Sequence, residues 1–202
     1  GAAHHLGEHA PGPHAADQVR AEVAMQDAGA IARTEHEGGS DRDRLLPAPV
    51  ERVWAYLVDP EKRRTWLAGG SMAEKPGGVF ELRFQHTELS GEEAPERYAA
   101  YRKTHIQKSR VVRIEPPKLL TISWGSESDT ASEVTFELSP KGEGTQLVLT
   151  HRRLPDRKET VSVASGWHAH LDVLDDVLHG RKPQGFWTNL SELEAAYEAH
   201  VR

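Results

Sequence analysis

The chain has 202 residues and a formal net charge of −6, from 25 basic and 31 acidic residues that are mixed along it, and it contains no cysteine. Disulfides, thiolate nucleophiles and cysteine-ligated zinc are therefore excluded. The mixed charges predict no nucleic-acid partner. No apolar run reaches the roughly 18 residues that cross a bilayer, and no basic segment followed by a hydrophobic one opens the chain, so we expect a cytoplasmic protein without membrane insertion.

The first 26 residues are rich in Ala, Gly, Pro and His and show little apolar periodicity. This composition predicts a flexible leader at residues 1–26. We assign no metal site to the histidines of this segment, because a mobile terminus explains them more simply: His4, His5, His9 and His14. Residues 27–182 are predicted to form one domain, and residues 183–202 a helical extension.

A first strand is predicted between Ala30 and Leu46, bent at its glycine pair. Two short helices follow it. Asp59 and Pro60 end the first of them and begin the second, because proline suits the first turn of a helix. The apolar residues of the first helix recur at helical spacing: Val50, Val53, Trp54 and Leu57.

The sequence then changes to a period of two, which is typical of half-buried strands. Between residues 79 and 89 the alternation places Phe80, Leu82, Phe84 and His86 on one face. Further strands are predicted at residues 105–115, 119–124, 132–138 and 145–151.

In the strand at 105–115 the alternation points Val112 and Ile114 inward. After Pro155 the period becomes about 3.6, which predicts one long helix through Val163, Trp167 and Leu178 that covers the sheet. A final short amphipathic helix is predicted to start at Asn189 or Ser191 and to end near Val201.

This order of elements predicts an α+β helix-grip fold, in which a curved antiparallel sheet wraps around a long C-terminal helix. Several motifs then resemble one family within the START-like (SRPBCC) superfamily, the bacterial homologues of the heat-shock ATPase activator. They are LPAPVERVW at residues 46–54, DPE at 59–61, IEPPKL at 114–119, GTQL at 144–147 and GW at 166–167. The resemblance implies a birch-pollen-allergen-like container, but no shared catalytic signature.

A sheet that wraps a helix in this way leaves room for an apolar cavity, which would bind a hydrophobic or aromatic small molecule. His86, His151 and His170 are its candidate polar groups, and Trp124 and Trp167 its aromatic walls. The predicted ligand-binding residues are Phe80, Leu82, Phe84, His86, Ile122, Trp124, Phe136, Leu149, His151, Trp167, His170 and Leu171. The same pattern also describes a close-packed core, and the sequence does not separate these two interpretations.

Other functions stay open at this point. A cyclase- or hydrolase-type enzyme could use His86 or His151 as a general base, and the family resemblance allows a protein-interaction module. The C-terminal helix with Phe186 and Trp187 could support a homodimer, seal the cavity or dock on its own domain. We predict neither a metal site nor a cofactor, because no histidine or carboxylate spacing fits one.

Overall fold

The computed structural model describes residues 45–201. The predicted leader and most of the first predicted strand lie outside these residues. The described part of that strand is β1, Leu45–Leu46, which pairs with β6.

Six strands form one antiparallel sheet in the order β1-β6-β5-β4-β3-β2. The strands bury alternate residues, as the period of two in the sequence predicted. On β5, for example, Val134, Phe136 and Leu138 are buried, while Glu137, between the last two, is exposed. The four strands predicted after residue 100 are confirmed. The strand bounds are β2 Val79–Phe84, β3 His105–Glu115, β4 Leu119–Trp124, β5 Ser132–Lys141 and β6 Gly144–Arg152.

Two short helices lie between β1 and β2, as predicted: α1 at Val50–Val58 and α2 at Pro60–Arg63. Asp59 begins α2, because its Oδ1 accepts hydrogen bonds from the backbone N–H groups of Glu61 (2.9 Å) and Lys62 (3.3 Å).

The long helix, α4, covers Arg157–Leu178 and contacts the sheet through buried side chains such as Trp167, Leu171 and Leu174. Asp156 caps it by accepting a hydrogen bond from the N–H of Glu159 at 2.8 Å. A curved antiparallel sheet that holds one long helix is the helix-grip arrangement, so the predicted fold class is confirmed.

The predicted course of β2 and β3 is wrong in two places. Strand β2 ends at Phe84 rather than at residue 89, and His86 instead precedes a one-turn helix, α3, at Thr87–Ser90. On β3 the pairing register shifts between Val111 and Arg113. This bulge reverses the alternation, so that Val111 is fully buried while Val112 is only half-buried.

The last helix, α5, covers Phe186–His200 and starts earlier than Asn189 or Ser191. Gly185, with φ of 58°, turns the chain into it. The carboxylate of Glu92, far away in sequence, accepts hydrogen bonds from the N–H groups of Trp187 (2.8 Å) and Thr188 (3.2 Å). The helix start is thus capped by a tertiary contact that local sequence does not reveal.

Arg63 is buried at the end of α2, and its guanidinium organises the turn that follows. It lies over the Phe80 ring, 4.5 Å from the ring centroid, and burial lowers its pKa to about 10, so that it stays charged at neutral pH. Its nitrogens donate hydrogen bonds of 2.5–3.4 Å to the backbone carbonyls of Leu57, Val58, Ala68, Gly69 and Gly70.

We expect Arg63→Lys to lower the free energy of unfolding by about 3 kcal/mol, because an ammonium group cannot reach all of these carbonyls and leaves some of them buried and unpaired. Urea denaturation, monitored by circular dichroism, measures this loss of unfolding free energy. Arg52→Lys on the exposed side of α1 is the matched control and should change stability by less than about 0.5 kcal/mol. Equal stability of the two variants would contradict this role of Arg63.

Candidate ligand-binding cavity

A cavity of about 300 Å³ lies beside the core, between the sheet, α4 and α5. This volume is at the small end of the roughly 300–1,000 Å³ that is usual for ligand pockets. Its walls are mainly aromatic and come from the sheet, from the 3₁₀ helix at Glu96–Arg102 that precedes β3, and from both long helices. These aromatic side chains are Phe84, Tyr98, Tyr101, Trp124, Trp167, Phe186 and Trp187.

The remaining wall of the cavity is partly apolar and partly polar. Leu67, Val163, Gly166 and Leu190 continue the apolar surface. The exposed lining residues mark the side that opens to solvent: Tyr101, His105, Glu159 and Ser162. The other polar lining residues are His86, Gln107, His170 and Glu194.

Five of the twelve predicted ligand-binding residues are brought together in this lining: Phe84, His86, Trp124, Trp167 and His170. The other seven do not line the cavity and are at most 2% exposed. They are buried in the core: Phe80, Leu82, Ile122, Phe136, Leu149, His151 and Leu171. The predicted set of inward-facing residues is therefore divided between the cavity lining and the core.

His170 is held in one orientation by the backbone. Its Nδ1 lies 2.8 Å from the carbonyl oxygen of Trp66. A carbonyl oxygen only accepts, so Nδ1 carries the proton and Nε2 carries a lone pair. Burial lowers the pKa of His170 to about 4, despite the opposing effect of this hydrogen bond, and the ring is neutral at neutral pH.

His86 lies next to His170, with 5.5 Å between the ring centroids. Its ring stacks on Phe84 at 5.5 Å and 8°. Burial, and then the proximity of His170 and His105, lower the pKa of His86 to about 3. At neutral pH both rings are therefore uncharged, and this part of the cavity carries no positive charge.

His151 belongs to the core and connects the sheet to α4. The indole Nε1–H of Trp167 donates to His151 Nδ1 at 3.1 Å. Nδ1 is thus the acceptor, and Nε2–H donates to Ser132 Oγ at 2.9 Å. Burial lowers the pKa of His151 to about 4.

The indole N–H of Trp187, unlike that of Trp167, donates no hydrogen bond to any of the described residues. Among residues 45–201, its Nε1 is the one buried side-chain polar atom without a hydrogen-bond partner. The ring packs among other rings, with centroid distances of 5.1 Å to Tyr98, 5.6 Å to His86 and 5.7 Å to Tyr101.

Four aromatic cavity residues were not foreseen from the sequence as ligand contacts: Tyr98, Tyr101, Phe186 and Trp187. Glu194 of α5 fixes the first of them, because it accepts a hydrogen bond from the Tyr98 hydroxyl at 2.6 Å and pairs with Arg97. Burial and this carboxylate raise the pKa of Tyr98 to about 12. The signals in the sequence were the pair of tyrosines in an otherwise polar segment and, for Phe186 and Trp187, the alternative that their helix seals the cavity.

Within residues 45–201 there is no group of three or more histidine, aspartate or glutamate side chains that could hold a metal ion. In the same part of the chain, no helix has the length and apolarity needed to cross a membrane.

The sheet that holds one helix, with a cavity beside it, defines the class: this is a helix-grip protein of the START-like superfamily. The particular family follows from sequence, since the pattern described as "Activator of Hsp90 ATPase homolog 1-like protein" matches residues 47–179. The chain belongs to that family, as the motifs near residues 46–67 and 114–167 predicted.

Solved structures agree with this assignment. A Bordetella parapertussis protein determined by NMR is 47% identical, with 82% of this chain and 90% of that one aligned and a TM-score of 0.69. CalU16 from Micromonospora echinospora is 29% identical over 79% of this chain and 85% of its own, with a TM-score of 0.58. DynU16, a protein of the dynemicin biosynthetic locus, shares the fold at 21% identity, over 71% of this chain and 48% of its own, with a TM-score of 0.53. No curated protein matches the chain.

The two buried indoles allow a matched comparison. Trp167→Phe leaves His151 Nδ1 buried without its donor, whereas Trp187→Phe removes a donor that has no partner. Both variants lose a similar part of the ring. We expect Trp167→Phe to be the less stable by about 1–3 kcal/mol in urea denaturation. Equal losses would show that the Trp167 hydrogen bond contributes nothing to stability.

Acid should destabilise the fold through its neutral histidines. Burial lowers the pKa of His151 from its ordinary value of 6.5 to about 4 in the folded protein, so the unfolded chain takes up protons first. The contribution of His151 to the free energy of unfolding is therefore fully present above pH 6.5. It is lost as the pH falls from 6.5 towards 4, by up to about 3 kcal/mol.

Urea midpoints measured across this pH range test the expectation. His151→Gln keeps an acceptor and a donor but does not titrate, so it should flatten the pH dependence. A His151→Gln profile parallel to that of the wild type would refute the assignment.

Proposed function

We propose that this protein binds a small, flat, hydrophobic or aromatic molecule in the cavity. The observation that carries the proposal is the composition of the wall, in which seven aromatic side chains surround about 300 Å³. Pockets that recognise small molecules are mostly apolar with a few placed polar groups, and this wall has that character. Aromatic faces favour flat ligands, because rings stack offset or edge to face.

Gly166 supports the proposal from the helix side. It lies inside α4 and lines the cavity, and a Cβ added there would meet nothing within 4 Å. Glycine in a helix interior costs about 0.5–1 kcal/mol relative to alanine. The position is therefore unfavourable for the helix itself, while it keeps space free in the cavity.

An acid-base enzyme is less well supported by the geometry. A general base works best when its pKa is near the operating pH, whereas burial lowers the pKa values of the two candidates, His86 and His151, to about 3 and about 4. Ser165 is not a nucleophile candidate, since its hydroxyl donates to the backbone carbonyl of Val161 at 2.7 Å inside α4. The enzyme alternative remains a prediction without a supporting site.

A protein-interaction role needs a contiguous exposed apolar patch. Among residues 45–201, four large apolar side chains are exposed, and they are distributed over both edges of the sheet: Leu45 on β1, Val79 on β2, Tyr101 in the 3₁₀ helix and Ile106 on β3. Helix α5 buries its apolar residues, including Phe186 and Trp187, against its own domain. The homodimer therefore remains a prediction, and the function that we favour is ligand binding.

The cavity can be filled from Gly166 without removing any wall contact. We expect Gly166→Leu to fold and to lose binding of naphthalene, because the leucine occupies the ligand space. Gly166→Ala, the control, should bind naphthalene with reduced affinity or normally and be about 0.5–1 kcal/mol more stable. Isothermal titration calorimetry measures binding, and urea denaturation measures stability.

Tryptophan fluorescence gives a second readout, because Trp124, Trp167 and Trp187 line the cavity. A wild-type protein that binds none of a panel of mono-, bi- and tricyclic aromatic compounds would overturn the proposal. Equal binding by wild type and Gly166→Leu would place the ligand elsewhere.

A further inference from the structure

His170 presents an unoccupied acceptor to the cavity in a fixed orientation. His170 is 7% exposed and lines the cavity. Its Nδ1–H donates a hydrogen bond to the Trp66 carbonyl. Nε2 has no hydrogen-bond partner among the described residues, and it is not one of the unpaired side-chain atoms that are closed off from solvent. The Nε2 lone pair is therefore free and reachable from the cavity.

The backbone at Trp66 fixes which ring nitrogen of His170 is the donor and which is the acceptor. Trp66 is fully buried, and its indole Nε1–H donates to the carbonyl of Tyr56 at 2.8 Å. Arg63 holds the following carbonyls at residues 68–70. The carbonyl that takes the His170 proton thus belongs to a rigid turn, and His170 cannot turn its donor side to a ligand without leaving a buried carbonyl unpaired.

The charges of the cavity wall disfavour an anionic ligand. His170 and His86 are neutral because burial lowers the pKa of both. Glu159 and Glu194 are the ionisable acids of the lining, and Arg97, which is close to the cavity, is already paired with Glu194. An anionic ligand would meet a lone pair and carboxylates, and the described lining residues include no lysine or arginine.

We propose that the ligand is an uncharged aromatic compound with a hydroxyl group, and that His170 Nε2 recognises it by accepting the hydroxyl hydrogen bond. This rests on the proposed function and narrows its ligand class. A phenol satisfies the acceptor through its O–H and stacks its ring on the aromatic wall. An ether of the same shape fills the same space but leaves Nε2 desolvated and unpaired, which is costly.

The test uses four compounds with the same ring system: naphthalene, β-naphthol, its methyl ether and β-naphthoate. We expect β-naphthol to bind wild-type protein about tenfold more tightly than the ether in calorimetry. β-Naphthoate should bind more weakly than naphthalene. Equal affinities for the naphthol and the ether would overturn the inference while leaving aromatic binding intact. Failure of all four compounds to bind would instead overturn the proposed function.

Variants identify the acceptor. His170→Phe keeps a ring but has no lone pair, so the tenfold preference for β-naphthol over the ether should disappear, because the naphthol loses its acceptor and the ether no longer leaves one unpaired. His86→Phe keeps the stacking on Phe84 and is the matched control, in which the preference for the naphthol should persist. Loss of the preference in His86→Phe, with its retention in His170→Phe, would assign the acceptor to His86 and refute our assignment.

His170→Phe also removes the partner of the Trp66 carbonyl, so a measurement on unmutated protein is needed in case this variant does not fold. Nitrogen NMR of isotope-labelled histidine provides it. The unprotonated Nε2 of His170 should shift upfield when β-naphthol is added and stay in place when the ether is added. No shift at saturation with β-naphthol would overturn the inference.

Discussion

The contact of Trp167 with the sheet joins the core of this protein to its cavity. Its ring packs on Trp124 and Phe136, with centroid distances of 4.9 and 5.6 Å, and its N–H is bonded to His151. Phe136 and His151 are buried in the core, whereas Trp124 lines the cavity, as Trp167 itself does. One indole therefore contacts core residues with part of its surface and borders the cavity with another part.

The cavity is closed by segments that are distant in sequence and are tied together by two carboxylates. Glu92 holds the start of α5, and Glu194 holds Tyr98 and Arg97 of the 3₁₀ helix. Burial opposes the ionisation of Glu92, but the hydrogen bonds from Thr188 and Trp187 keep its pKa below the usual value. The enclosing wall thus depends on polar contacts, whereas the core behind it depends on apolar packing.

The sequence predicted the fold well, because a period of two and a period of 3.6 depend only on which face of each element is buried. Prediction from sequence failed where contacts between residues distant in the chain determine the local structure. The buried Arg63 stands in the polar run EKRR and gives no sign of burial, the bulge at Val112 depends on the pairing with β4, and α5 begins where Glu92 caps it. Five predicted site residues line the cavity, but alternation alone could not distinguish them from the core, because both face inward.

Helix α5 lies beyond residues 47–179, the part of the chain that the family pattern matches. Yet Phe186, Trp187, Leu190 and Glu194 form one wall of the cavity. A chain limited to residues 47–179 would have an open trough at this place. Substitutions along this one helix therefore change the shape of the cavity wall while leaving the residues that match the family pattern untouched.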